Sequence, residues 1–337
     1  SGKAYAIFAL LFGFTFYIQN HNQEIRGKDF GGRFLWRLLL LAGFATLNAA
    51  FFPAGDVLLL FAVVGIVLVP VRRWSDTWIG VLAVLFLMQP IEMFNIFALA
   101  VNPQYEVPDL NVGAMYEAVA EVVESGNFVE FIKCNIGLGQ KASFLWAVNA
   151  GRMTQTAGLF LLGFLIGRKR LFDSDMTDIR YWIYILVLSG FLFVPFYFIS
   201  DMLKDSTDVV SMQLAVIFDM WQKLSFTFVL VSVFVIVYRK TAFGRHSHSL
   251  RLYGRMSLTN YISQSVIGAF IYFPFGLYLA PHCGYTLSML IGIAIFIVQI
   301  IFCKQWLRHH RQGPLEKIWH RLTWIGGGDK VAPANAG

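Results

Sequence analysis

The stretch YWIYILVLSGFLFVPFYFIS, residues 181–200, runs for twenty residues without one charged side chain. A helix crossing a hydrocarbon core of roughly 30 Å needs about 20 mostly apolar residues, and this segment supplies them. Working outward, comparable runs occupy residues 4–19, 34–52, 56–71, 78–101, 143–167, 211–238, 257–280 and 285–303. The runs are continuous rather than alternating, which excludes membrane strands. The chain is 57% hydrophobic and 14% charged, against about 25% charged in soluble domains. The expectation is an all-α, polytopic transmembrane helical bundle of about nine spans over residues 1–303. An outer loop covers 102–142 and a cytoplasmic C-terminal tail covers 304–337. Phe52-Pro53-Ala54-Gly55 reads as a tight hairpin between the second and third runs.

Lysine and arginine then set orientation. Arg26, Lys28, Arg33, Arg72, Arg73, Arg168, Lys169, Arg170, Arg180, Arg239, Lys240, Arg245, Arg251 and Arg255 fall in alternate loops, followed by the basic tail from Lys304 to Arg321. Lys133, Lys141 and Lys204 sit among more numerous acids on the other side. This predicts a multi-pass protein of the bacterial cytoplasmic (inner) membrane with its C-terminus cytoplasmic and Ser1 outside. Ser1-Gly2-Lys3 runs straight into a span, so a preceding segment with one more span is expected. The net charge of +7 fits this bias and attraction to anionic lipid. The bilayer, not nucleic acid, is the expected partner, with a small-molecule, glycan or lipid substrate.

The loops carry little chemistry. Residues 112–124 place Val112, Met115 and Val119 at helical spacing, which fits an amphipathic helix capping a cavity, or equally a solvated connector. Gly137-Leu138-Gly139-Gln140 lacks the context of a nucleotide loop. Cys134, Cys283 and Cys303 have no paired spacing and no metal motif. Cys134 and Cys283 both fall outside, so a disulfide is open to them, though free cysteines fit better. His246 with His248, and His309 with His310, are weak evidence for a metal, and none is expected.

Polar groups inside spans are costly, about 2.5–3.5 kcal/mol for a charge, and they usually face a bundle interior or aqueous cavity. Gln89, Glu92 and Asn95 recur at i, i+3, i+6, as do Asn149, Arg152 and Gln155. Asp219, Gln222 and Lys223 lie in another span, Asn48 precedes the hairpin, and Asp56 follows it. By the predicted topology Asn48, Asp56, Glu92, Asn95, Asn149, Arg152, Asp219 and Lys223 share the outer half of the membrane. Glu92, Asp56 and Arg152 are the catalytic candidates; Asn48, Asn95, Asn149, Asp219 and Lys223 are the substrate-binding ones. The bland alternative is that Glu92–Arg152 and Asp219–Lys223 pair and hold helices together. Arg255, Asn260 and Gln264 form a second set in the inner half. All seven histidines fall outside the spans, so a buried general base must be Glu92, Asp219 or Asp56, or a histidine near an interface.

Several strings resemble the YeiB-like family of bacterial membrane proteins (domain of unknown function 418). They are Leu10-Leu11-Phe12-Gly13, Gly55-Asp56-Val57-Leu58, Leu162-Gly163 with Gly167-Arg168, and Gly254-Arg255-Met256-Ser257-Leu258-Thr259-Asn260-Tyr261 with Gln264-Ser265. Gly313-Pro314-Leu315-Glu316 with Trp319 and Leu322-Thr323 completes them. The resemblance implies kinship with membrane acyltransferases that modify extracytoplasmic sugars, and an earlier span bearing an Arg-Gly motif. Two departures stand out: Asn48 where the family has a histidine, and His320 where an arginine follows the tail tryptophan. An acyltransferase would use acyl-CoA or another acyl donor approaching near Arg255, Asn260 and Gln264. The acceptor would sit outside, with Glu92 or Asp56 as base and Arg152 or Lys223 stabilising negative charge. A proton-coupled transporter would use Glu92 or Asp219 as coupling site. The sequence shows no inverted repeat and few broken helix pairs, Pro90 and Pro195 being isolated, which weighs against transport. A non-catalytic membrane component is the third reading.

Overall fold

The computed structural model describes residues 3–53, 55–173, 177–241 and 243–325. Among them there are seventeen α-helices and no strand. In order these are α1 Lys3–Glu24, α2 Gly31–Ala49, α3 Leu58–Val64, α4 Leu68–Val71, α5 Asp76–Leu87 and α6 Pro90–Val101. Next come α7 Val112–Glu124, α8 Phe128–Cys134, α9 Gln140–Asn149, α10 Arg152–Arg168, α11 Ile179–Leu203 and α12 Val209–Lys240. The last five are α13 Phe243–His246, α14 His248–Gly254, α15 Ser257–Tyr272, α16 Tyr285–His309 and α17 Pro314–Thr323.

Every expected run contains helix, but length and composition qualify only α11, α12 and α16 to cross a membrane. A fourth joins them if α5 and α6, bent by 57° at their break, form one span. The expectation of about nine is therefore not met on that criterion, and interruptions explain much of the shortfall. Run 56–71 is broken by a 3-10 turn at Gly65–Val67, and run 143–167 by Ala150-Gly151. Run 257–280 ends as helix at Tyr272, about 24 Å long at 1.5 Å per residue.

The core forms where α1 and α10 cross, with α2, α3 and α5 around them. A methyl group on Gly13 would collide with the Phe160 carbonyl, and one on Gly163 with the Leu10 carbonyl. The backbones are in contact, which only glycine permits. Phe12 stacks on Phe160 at 4.5 Å, and Phe61 meets Phe160 edge-on at 5.2 Å. Arg168 at the end of α10 ties into the start of α5, donating to the Trp74 carbonyl at 2.7 Å and pairing with Asp76 at 3.1 Å. By contrast α11 and α16 leave most of their apolar residues exposed, as lipid-facing helices do. The amphipathic α7 packs on α8, the following turn and α9, burying Val119. Cys134, Cys283 and Cys303 are all free.

Candidate functional site

Two helix interruptions meet. Gln89 adopts a left-handed conformation (φ 59°) between α5 and α6, and Gly151 does the same (φ 65°) between α9 and α10. Pro90 begins α6, where its missing N–H costs nothing. The fully buried Gln89 side chain reaches the start of α10. Its Oε1 accepts from Thr154 Oγ1 at 2.5 Å and crowds the place a Gly151 side chain would take. Gln89 Nε2 has no partner, and neither does Oε2 of Glu92, one turn further along α6 and 3% exposed. A buried polar atom left unmatched costs about 1–3 kcal/mol. Gln155 donates to the Met220 carbonyl at 2.9 Å, and Asn95 to Gln213 at 3.1 Å, bringing α12 into the same junction. The expected i, i+3, i+6 face therefore holds only for Glu92 and Asn95, because Gln89 occupies the break.

Arg152, the first residue of α10, does not pair with Glu92. Among the described residues no carboxylate lies within ion-pair distance of it. Its guanidinium lies 4.3 Å from the Trp146 ring and 5.1 Å from that of Tyr5, a cation–π arrangement that fixes the charge while leaving N–H edges free. Tyr5, Asp219 and Tyr116 are the titratable groups that act on it. Tyr116 comes from the capping helix α7, where burial pushes its phenol up and the Arg152 charge opposes that rise. Asp219 is paired within its own helix with Lys223. The two line a polar cleft of about 220 Å³ between α11 and α12 with Tyr197, Ser200, Asp201, Lys204 and Gln222. Asn149, at the end of α9, is exposed.

Asp56 stands in a separate buried network. It accepts from Asn48 Nδ2 at 2.8 Å and from the Leu59 N–H at 3.1 Å, while Ser143 donates to its carbonyl at 2.9 Å. Asn48 Oδ1 accepts from Ser265 at 2.6 Å, so Asp56 is held from α15. Beside it the Gly137-Leu138-Gly139 stretch forms a π-helical turn, Asn135–Gly139, in which buried Asn135 Oδ1 lacks a partner. Such turns are frequent at functional sites.

The inner set is satisfied within the protein. Gln264 donates to Tyr253 and to Gln299, both at 2.9 Å, and Asn260 donates to the Tyr253 carbonyl at 3.1 Å. Arg255 donates to the Arg311 carbonyl at 2.6 Å. Glu316 takes the Thr259 N–H at 3.0 Å and its hydroxyl at 2.5 Å. The two longest family-like strings, around Arg255–Tyr261 and Gly313–Glu316, are thus two halves of one contact.

The structure joins Asn48 to Asp56, Asp219 to Lys223, and Asn260 to Gln264 through Tyr253 and Gln299, while Glu92 and Asn95 lie on α6, whose start Gln89 links to α10. Gln89, Tyr5, Trp146, Thr154 and Ser265 escaped the list of candidate residues. The Gln89-Pro90 pair inside an apolar run was the available signal for the first.

Residues 166–326, from the end of α10 through α17, match the family described as "Protein of unknown function (DUF418)". The uncharacterized protein YxaH of Bacillus subtilis (strain 168) is 26% identical over 339 residues, 96% of this chain and 79% of its own length. An uncharacterized 39.9 kDa protein in the amylase 3′ region of Bacillus acidopullulyticus is 23% identical over 335 residues, 96% of this chain and 80% of its own length. Uncharacterized protein YeiB of Escherichia coli (strain K12) is 34% identical over 79 residues, 23% of this chain and 20% of its own length. No solved structure matches. The matched segment, a little under half of the chain, contains both halves of the contact between the α15 start and α17.

Proposed function

We propose that this chain is a multi-pass protein of the bacterial cytoplasmic membrane, C-terminus inside, that transfers an acyl group to an extracytoplasmic sugar, lipid or envelope polymer. The observation that carries a substrate site is the buried Glu92 carboxylate, with Oε2 unpartnered, one turn from Gln89, whose side chain reaches the start of α10. In the reaction, an acceptor hydroxyl gives its proton to Glu92 as its oxygen attacks the acyl carbonyl of a thioester donor. The C–S bond then breaks and the thiolate leaves, taking up a proton. Arg152, with no carboxylate within ion-pair distance among the described residues and at the positive end of α10, favours the oxyanion that forms on the carbonyl. Asp56, held by Asn48, is the alternative base, and a donor entering from the cytoplasm would approach along Arg255, Asn260 and Gln264. Asn149, Asn95, Asp219 and Lys223 would contact the acceptor. With asparagine at position 48, proton transfer falls to a carboxylate.

A second reading, proton-coupled transport of a small molecule, is favoured by one observation. Interrupted helices that meet within a bundle are how many transporters expose backbone and buried acids to substrate. Mass spectrometry of lipids and envelope glycans from cells with and without the protein separates the two. An acyl mass shift that disappears in Glu92→Gln supports transfer. An unchanged profile together with Glu92-dependent uptake or export supports transport instead.

A further inference from the structure

The seam between α2 and α17 holds a second, unassigned polar cluster, far in sequence from the helix interruptions. Arg33, Trp36 and Arg37 project from the first two turns of α2 toward α17. Arg33 donates to the Thr323 and Ile325 carbonyls, both at 3.1 Å, and lies 5.3 Å over the Trp324 ring. Trp36 donates to the Leu322 carbonyl at 2.9 Å. These two consume free carbonyls at the end of α17. Arg37 receives none. Its guanidinium lies 4.5 Å over the Trp319 ring, and among the described residues it has no hydrogen bond and no ion pair.

Three facts make this lack informative. First, the Trp319 indole N–H is itself buried without an acceptor, while its ring is pinned edge-on to Phe44 at 6.3 Å. Second, His320 is adjacent in sequence and within reach of the Arg37 charge, which together with burial pushes its imidazole below the ordinary value. Third, among the described residues the seam contains no free acid. Neither α2 nor α15 carries a carboxylate, and the one on α17, Glu316, is spent on Thr259. A cation and a buried donor converge where the described residues offer no acceptor.

We propose that the α2–α17 seam binds a phosphate group through the Arg37 guanidinium, the Trp319 indole N–H and His320. Arginine presents a planar fork suited to two phosphate oxygens, and stacking on an indole orients that fork. A third oxygen remains for the indole N–H. Trp36, Trp319 and Trp324 gather here beside Arg33, Lys317 and Arg321, the residue mix of a headgroup layer on the basic side of a membrane. A phospholipid headgroup and a soluble phosphate monoester share this chemistry.

The test uses the full chain in detergent. Native mass spectrometry reads retained phosphatidylglycerol against phosphatidylcholine, and a thermal melt reads protection by inorganic phosphate. Two variants are compared with wild type: Arg37→Gln, and Trp319→Phe, which keeps an aromatic face and removes only the N–H. Preferential phosphatidylglycerol retention that falls about tenfold in both variants assigns a lipid headgroup. Phosphate protection of wild type that is absent in both assigns a soluble phosphate. Should Arg37→Gln fail to fold, Trp319→Phe decides alone. Equal retention of both lipids by wild type and variants, with no effect of phosphate, overturns the proposal.

Discussion

At the scale of single residues, what matters is which polar groups the protein satisfies for itself. Asp56, Asn260 and Gln264 are all matched by protein partners, whereas Glu92 and Gln89 each keep one buried atom unmatched. The sequence exposed Glu92 and Arg152 through the cost of charge in an apolar run. It did not reveal that they fail to pair, because pairing depends on which faces of α6 and α10 meet. Glu92→Gln should therefore abolish activity while leaving the melting temperature nearly unchanged, since no ion pair is broken. Arg152→Ala should abolish activity too. Wild-type product formation in both variants would remove the junction as the site. Asp29 supplies a pH effect outside the spans. The Gly31 N–H holds its carboxyl below the usual carboxylate range; burial opposes this, and the Arg72 hydrogen bond with the Arg72 and Arg73 charges adds to the lowering. A lowered native value means its contribution is complete above about pH 5 and is lost as pH falls through that value. The group is 54% exposed, so solvent screening keeps the contribution below about 1 kcal/mol. Asp29→Asn should lower the melting temperature slightly at pH 7, and the difference from wild type should vanish near pH 2.

At the scale of helices, the family-like strings turn out to be contacts between elements. Leu10–Gly13 and Leu162-Gly163 are the two sides of the α1–α10 crossing, and Arg255–Tyr261 meets Gly313–Glu316 at the start of α15. Glycine in an apolar run was legible as a residue, but which partner backbone it admits is a tertiary fact. Gly163→Ala must push α1 away from α10, at a cost of about 1–3 kcal/mol or more for overpacking. Gly113→Ala, at a glycine with open space around it on α7, should be close to neutral. Equal melting temperatures for the two variants would contradict backbone contact at the crossing. Glu316→Gln leaves Thr259 hydrogen-bonded but removes the charge at the α15 N-terminus, and should cost about 0.3–1 kcal/mol. The helix interruptions were the element-scale feature least visible in sequence. Pro90 marks one, but Ala150-Gly151 looks like any small pair, and only their meeting gives either a meaning.

At the scale of the whole molecule, the all-helical class was written in composition, while the number of crossings was not. Hydropathy sees a helix that faces lipid, such as α11 or α16. It undercounts one that faces protein, and α10 is such a helix: twelve of its seventeen residues are buried, among them Thr154, Gln155 and Thr156. A helix packed against α1, α3, α5 and α9 has no need of an apolar surface to lie within a bilayer. Whether α9–α10 crosses decides the topology between the 102–142 loop and the α13–α14 region. If only α11 and α12 cross between Glu106 and Arg251, the two positions share a side; if α9–α10 crosses as well, they lie on opposite sides. Both residues are exposed, so each accepts a reporter without disturbing packing. In a background with Cys134, Cys283 and Cys303 replaced by serine, Glu106→Cys should react with an impermeant maleimide on intact spheroplasts. Arg251→Cys should react only after permeabilisation, as the alternation of basic loops requires. Labelling of both from the same side would remove α9–α10 from the crossings. It would also return the start of α10, with Arg152, to a position outside the bilayer, where an arginine without a paired carboxylate costs little and the case for a buried acyl-transfer site is lost.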